Sequence, residues 1–136
     1  MANVHKPDEN FKHDVAMLYA TLNNSANTPL YFSLANYDLG YFITQVHANA
    51  SAGSLTLQMR QRIGAAGTEA NLKASATLVT AGTLNVSLFA RGEDLTVNSS
   101  YDRVGILITE TETQNVTVSS VLLRMRARYK QATLIA

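Results

Sequence analysis

The chain has 136 residues, a formal net charge of +1, a charged fraction of 15% and no cysteine. Its length suits one domain with its own core, and the lack of cysteine excludes disulfides and thiolate metal sites. A net charge this close to zero excludes a general electrostatic affinity for nucleic acid. No apolar run is long enough to span a membrane and the polar start "MANVHKPDEN" lacks a signal-peptide core, so we expect neither a membrane partner nor secretion.

Residues 1–22 are predicted to form an N-terminal arm or a short helix. Their first ten residues are polar, and a run of mixed character follows. Apolar side chains recur in that run at helical spacing, at Phe11, Val15, Leu18 and Leu22. An arm that becomes ordered only on a partner is the alternative to the helix. The rest of the chain, 23–136, is assigned to the folded domain.

From residue 30 onwards the apolar pattern changes to a period of two. Leu55, Leu57 and Met59, for example, alternate with polar side chains, and clusters of Gly, Asn, Ser and Asp separate such segments. About eight short strands punctuated by turns are typical of an all-β sandwich or barrel. We therefore predict an all-β, single-domain antiparallel β-sandwich, and both a jelly-roll and an immunoglobulin-like strand order fit the pattern.

One hairpin is predicted in detail between residues 78 and 84. Paired strands must agree in which face they bury, and pairing Leu78 with Leu84 satisfies that requirement. The pairing leaves Thr80, Ala81 and Gly82 as a three-residue loop. Such a loop favours glycine at its third position, where the backbone is left-handed.

The last predicted strand changes the parity of its apolar residues. Val116 and Val118 are even-numbered, whereas Val121 and Leu123 are odd-numbered, with two serines between them. A β-bulge at Ser119–Ser120, or a crossing between sheets at that point, is the expected explanation.

The end of that strand carries basic side chains at every second residue, which a strand places on one face. Like charges at this spacing repel one another unless something answers them. Acids on a neighbouring strand, with Asp102 as the candidate, are one explanation, and an acidic protein partner bound by bidentate arginines is another. Nucleic acid is the least favoured explanation, because no aromatic side chain shares that face. The protein-interface candidates are Arg60, Arg62, Arg124, Arg126, Arg128 and Lys130.

Motifs of catalysis are absent from the sequence, which has no GxSxG, GxxxxGK[ST], HExxH or GxGxxG. Of its imidazoles, His5 and His13 lie in the predicted arm, and His47 lies within a predicted strand with no carboxylate beside it in sequence. We therefore predict no enzyme, no catalytic residue, no metal and no cofactor. Glu110 and Glu112, alternate carboxylates near a turn, are interpreted as a solvated strand end, with calcium binding as the alternative.

Aromatic side chains concentrate between residues 31 and 42. Phe32 and Phe42 are expected to fill the core. Tyr31, Tyr37 and Tyr41 are candidates for stacking on sugar rings, since a tyrosine presents an apolar face with a polar edge.

Two stretches, "SAGSLTLQMRQRIG" and "VTAGTLNVSLFARGEDLTV", combine small and polar residues with alternating apolar ones. With the "MAN" start, the polar arm and the lack of cysteine, the chain resembles a small virion protein of a tailed bacteriophage. Capsid decoration (cement) proteins are similar in size. The resemblance implies a virion protein made in the host cytoplasm that stabilises a capsid lattice. It further implies a homo-oligomer, a trimer or dimer, bound to the major capsid protein or another virion protein.

Two other functions remain open at this point. A tail, baseplate or fibre component would share the same composition. A carbohydrate-binding β-sandwich module would use the tyrosine cluster.

Overall fold

The computed structural model describes most of the chain, in six segments: 11–35, 37–47, 53–80, 84–96, 100–112 and 114–127. Eight strands are found there: β1 Phe11–Leu22, β2 Phe32–Ser33, β3 Tyr37–Val46, β4 Gly53–Arg62, β5 Glu69–Thr80, β6 Leu84–Arg91, β7 Arg103–Glu110 and β8 Val116–Ala127. A 3₁₀ turn, Gly92–Asp94, follows β6. Within this described part, no helix has the length and apolarity needed to cross a membrane.

The strands form two four-stranded sheets, with the orders β1-β8-β3-β6 and β2-β7-β4-β5. Every pair is antiparallel. Between consecutive strands the chain passes to the other sheet each time, except from β4 to β5, which pair directly. This is the strand order of a jelly roll, whereas an immunoglobulin-like sandwich keeps several consecutive strands in one sheet. The predicted all-β sandwich is confirmed, and its topology is the jelly roll.

The core lies between the two sheets and is built by the period-two pattern. Leu55, Leu57 and Met59 of β4 have no exposed surface, and Phe42 of β3 is equally buried. Phe32 is partly buried against the same cluster. Because successive side chains of a strand point to opposite faces, each strand also presents a second set of residues on the outer face of its sheet. Those outer faces carry the candidate sites.

The predicted short helix at the N-terminal end is wrong. Phe11–Leu22 is β1, paired with β8, and it belongs to the sandwich rather than to a separate arm. Residues 1–10 lie outside the described part of the chain. The register between β1 and β8 shifts between Val15 and Met17 and again between Met17 and Ala20. Such bulges break the strict alternation of a strand, which is why its apolar residues appeared at helical spacing.

The predicted hairpin between residues 78 and 84 is also wrong. Leu78 lies opposite Leu55 on β4, and Leu84 lies opposite Val46 on β3, in the other sheet. A strand that crosses to the facing sheet buries the same parity of residues as a hairpin partner would, so parity cannot distinguish the two arrangements. The loop residues 81–83 lie outside the described part of the chain.

The bulge or crossing expected at Ser119–Ser120 is not found in β8. The even-numbered residues of β8 stay buried from Val116 to Arg124, and its pairing with β3 runs without a shift. Ser120 occupies a core position because its hydroxyl lies 3.0 Å from the Thr44 hydroxyl, on a strand next to it. A hydrogen-bonded serine in the core therefore looked like a change of parity, while the irregularity belongs to β1.

Candidate functional site

Arg124 lies on the core face of β8 and is only 8% exposed. Its Nε and Nη2 both donate to Oδ2 of Asp14 on β1, at 3.0 and 2.8 Å. Nη1 donates to the carbonyl oxygen of Ser33, at the end of β2, at 3.0 Å. The guanidinium also lies 5.1 Å from the ring centre of Tyr37. This arginine therefore forms a nearly buried ion pair between neighbouring strands of one sheet and reaches the other sheet through its hydrogen bond to Ser33.

The prediction that Arg124 belongs to an exposed row of basic side chains on one face of the last strand is therefore wrong. The even-numbered side chains of β8 up to Arg124 face the core, and Arg124 is one of them. Asp102, the predicted acidic neighbour, instead accepts a hydrogen bond from the backbone N–H of Gly64 at 2.8 Å. Arg126 is within β8, but its side chain falls outside the described part, as do Arg128 and Lys130 altogether.

Arg60 and Arg62 lie on the outer face of the other sheet, in a group that we call the basic cluster. Arg62 stands between Glu69 on β5 and Arg103 on β7. The Glu69 carboxylate lies 3.6 Å from Arg60 Nη2 and 4.0 Å from Arg62 Nη1, and the Arg62 guanidinium lies 4.3 Å from the ring centre of Tyr31. The basic cluster consists of Tyr31, Arg60, Arg62, Glu69 and Arg103.

Three buried donors of the basic cluster have no hydrogen-bond partner: Tyr31 Oη, Arg60 Nε and Arg103 Nε. An unpaired buried donor costs about 1–3 kcal/mol. Burial, followed by the nearby Glu69 carboxylate, raises the pKa of Tyr31. The Tyr31 hydroxyl lies close enough to the Glu69 carboxylate for a weak hydrogen bond and its charge to contribute to this shift, but no acceptor meets it at full hydrogen-bonding geometry. It keeps its proton at neutral pH and remains a donor.

Two members of the basic cluster, Arg103 and Glu69, were not among the candidates predicted from the sequence. Arg103 directly precedes the buried run Val104, Ile106 and Ile108, so parity alone could have placed it on the outer face. Its position opposite Arg62 depends on the register between β4 and β7, which the sequence does not reveal.

The outer face of the sheet β1-β8-β3-β6 carries a group of apolar side chains drawn from all four strands. Val15, Val121 and Ile43 stand side by side on three neighbouring strands and are 52%, 39% and 37% exposed. The next row includes two aromatic residues, Tyr41 and Phe89, which lie opposite each other. Continuous exposed apolar patches mark interaction surfaces. We call this surface the apolar face, and its members are Val15, Tyr41, Ile43, Phe89, Val121 and Leu123.

A cleft of about 490 Å³ opens where β3 and β6 meet the 3₁₀ turn. Its walls combine two aromatic side chains, Tyr41 and Phe89, with the charged side chains of Asp38, Arg91 and Glu93. The volume is within the range of small-molecule sites, which typically join apolar walls to a few polar groups.

The three tyrosines predicted to stack on sugars do not come together. Tyr41 lines the cleft. Tyr31 is 8% exposed and lies under Arg62 in the basic cluster, and Tyr37 packs against Arg124. The cleft therefore retains one of the three predicted stacking residues and adds Phe89.

Glu110, at the end of β7, is buried and does not form a solvated strand end. Its carboxylate accepts backbone N–H groups of Asn24 at 2.6 Å, Glu112 at 2.7 Å and Gln114 at 3.3 Å. Burial by itself raises the pKa of Glu110, but these hydrogen bonds outweigh it and bring the pKa below its ordinary value of 4.5. Glu112 is exposed, and no group of three or more His, Asp or Glu side chains within the described segments could hold a metal ion.

Glu110→Gln is expected to lower the melting temperature at pH 7 by several degrees, because an amide offers only one acceptor oxygen to these donors. A lowered pKa gives stability that is present above pH 4.5 and is lost as the pH falls through the folded-state pKa. The difference between wild type and variant should therefore shrink below about pH 4 in a thermal melt series. Glu112→Gln, which leaves the backbone donors in place, serves as the control. A constant difference down to pH 2 would contradict the assignment.

Comparison with known proteins adds a fold relationship. No protein-family model matches the chain, and no curated protein matches it. A chain of the infectious bursal disease virus Gx strain is similar, with a TM-score of 0.60, 10% identity and coverage of 89% of this chain and 34% of that chain. A chain of the T13 particle of the same virus is also similar, with a TM-score of 0.55, 12% identity and coverage of 85% of this chain and 31% of that chain. This chain has a jelly-roll sandwich similar in fold to these chains of infectious bursal disease virus.

The chain spans about a third of the length of those virus chains. The SPBc2 prophage-derived protein YomS matches with a TM-score of 0.47, 11% identity and coverage of 83% of this chain and 92% of that chain. The TM-scores of 0.60 and 0.55 show a shared fold with the virus chains. They do not show a shared function, because one fold supports many unrelated functions.

Proposed function

We propose that this protein is a non-enzymatic structural component of a virus particle, namely a decoration protein that binds and stabilises the capsid lattice of a tailed bacteriophage. The proposal rests on the apolar face. A continuous exposed apolar surface with members on four strands marks a site of protein interaction. The jelly-roll likeness to chains of a virus particle supports it, as does the phage-like composition of the strands.

In this mechanism the apolar face binds a second copy of the chain. Its six members carry no charge, so the surface matches itself, as a twofold interface requires. Two sheets that pack face to face bury their side chains in a layer about 10 Å thick. An oligomer built in this way contacts several capsid subunits at once, and each modest contact then gains from the high effective concentration.

The mass of the purified protein in solution, measured by light scattering, tests the first step. We expect a stable dimer, because a twofold contact closes with two copies, and we expect the dimer to bind isolated phage capsids over the whole shell in electron micrographs. Binding at a unique vertex would instead indicate a tail, baseplate or fibre component. A monomer at every concentration would contradict the proposal.

A second candidate function, a carbohydrate-binding module, is favoured by one observation. The cleft places Tyr41 and Phe89 beside acidic and basic side chains, and aromatic faces with neighbouring polar groups suit a sugar ring. A monomer that binds a glycan array through Tyr41 would favour this function over the structural one.

A further inference from the structure

The three buried side-chain donors without a partner among the described residues all belong to the basic cluster. Tyr31, which carries one of them, is more than nine-tenths buried. Buried polar groups in folded proteins are almost always hydrogen-bonded. Three unpaired donors in one cluster therefore point to an acceptor that comes from outside the described chain.

The strand register explains why these donors share one patch. Arg62 lies opposite Arg103, and Arg60 lies opposite Gly105, on adjacent strands. A Cβ atom on Gly105 would lie 2.9 Å from the Tyr31 ring, so the missing side chain is what allows this ring to sit against the sheet. Arg60 and Arg103 are then diagonal neighbours, within reach of one ligand for long side chains.

The charges of the basic cluster do not balance. The cluster contains three arginines and one carboxylate, that of Glu69, which lies near Arg60 and Arg62. Arg62 and Arg103 lie directly opposite each other, where like charges repel. Glu69 compensates this positive charge only weakly. Its carboxylate lies 3.6 Å from Arg60 and 4.0 Å from Arg62, farther than the length of a charge-assisted hydrogen bond, about 2.7–2.9 Å. Its side chain is 41% exposed, so it can turn towards solvent.

We propose that the basic cluster is a carboxylate-binding site, in which an external carboxylate accepts hydrogen bonds from Arg60, Arg103 and Tyr31 while Glu69 turns outwards. The unpaired groups are all donors, so the ligand must supply acceptors, and the excess positive charge selects an anion. A planar carboxylate also suits the fork of an arginine. The carboxylate belongs either to a small free acid or to an acidic side chain of a protein partner. The site does not depend on the proposed virion function.

Side-chain nuclear magnetic resonance tests the site, because the Nε–H groups of Arg60 and Arg103 give signals of their own. Wild-type protein is titrated with sodium acetate, and sodium chloride at equal ionic strength is the blank. We expect saturable shifts of both signals with acetate alone. Arg103→Gln should weaken acetate binding about tenfold, whereas Glu69→Gln, which removes the internal competitor, should strengthen it. Arg91→Gln, at an exposed arginine on the other sheet, should leave it unchanged.

A purely structural cluster predicts different results. Equal shifts in chloride and acetate, or acetate binding that Arg103→Gln and Glu69→Gln leave unchanged, would overturn the proposal. Backbone amide spectra of each variant confirm that it is folded, and Tyr31→Phe replaces Arg103→Gln if that variant does not fold. Because a hexaglutamate peptide carries several carboxylates, binding at least about a hundredfold tighter than that of acetate identifies the source as an acidic protein segment. Equal affinity per carboxylate identifies a small free acid.

Discussion

Replacing Arg124 with methionine is expected to lower the free energy of unfolding by about 3 kcal/mol. The substitution leaves the Asp14 carboxylate, whose side chain is 18% exposed, without the two hydrogen bonds that it accepts from the guanidinium. It also removes the donor to the Ser33 carbonyl, a contact that joins the two sheets. Urea denaturation at a fixed protein concentration measures the change, because the stability of an oligomer depends on its concentration.

A double variant separates the ion pair from simple loss of packing. Removal of both charges, by Asp14→Leu with Arg124→Met, should recover most of the loss, because an apolar pair of similar size often replaces a buried ion pair without cost. Arg91→Met is the matched control: the Arg91–Glu93 pair is 61% and 73% exposed, and such pairs contribute less than about 1 kcal/mol. If Arg124→Met cost no more than Arg91→Met, the ion pair would have no structural role.

The same contact changes how a charge reversal in this strand should be interpreted. Arg124→Glu, a natural test of a basic interaction surface, would place a second carboxylate beside Asp14 in a nearly buried position. Loss of partner binding in that variant would then report unfolding. Of the other arginines with described side chains, Arg60, Arg62 and Arg103 are partly buried on the outer face of the other sheet, and Arg91 of β6 is exposed.

The architecture could be predicted from the sequence where alternation was strict. Leu55, Leu57 and Met59 alternate without interruption, and their strand is central in its sheet. Period-two patterning identifies strands and their buried faces, so the all-β sandwich and much of its core followed from it. The strand order did not follow, because a strand crossing to the facing sheet obeys the same parity as a hairpin partner.

The sites could be predicted far less well, because their contacts join residues distant in sequence. Arg124 and Asp14 are separated by 110 positions, and nothing near either residue identifies the other. β1 was predicted to be an arm or a short helix because bulges around Met17 break the alternation by which a strand is recognised. The sequence does not reveal the apolar face either. Only the buried position of Ser120 shows that β8 turns its even-numbered residues inwards up to Arg124 and leaves Val121 on the outer face.

Ile43→Lys combined with Val121→Lys is expected to convert the oligomer into folded monomers and to abolish capsid binding. The two residues are neighbours on β3 and β8, near the centre of the apolar face. In the free monomer each lysine reaches water, since both sites are more than a third exposed, and the substitutions change stability by about 1 kcal/mol each. Against a second copy the same ammonium groups would be buried without a partner, at a cost of several kcal/mol per charge.

Light scattering and capsid sedimentation, with the double variant beside wild type, measure both consequences. Thr56→Lys is the matched control, because Thr56 lies on the outer face of a central strand in the opposite sheet. It adds one positive charge, as each substitution of the double variant does, and should leave both the mass and the binding unchanged. A double variant that remains oligomeric would show that subunits meet elsewhere, and a monomeric variant that still decorates capsids would separate self-association from lattice binding. In the second case the apolar face would build the oligomer only, and the contact with the capsid would belong to another surface.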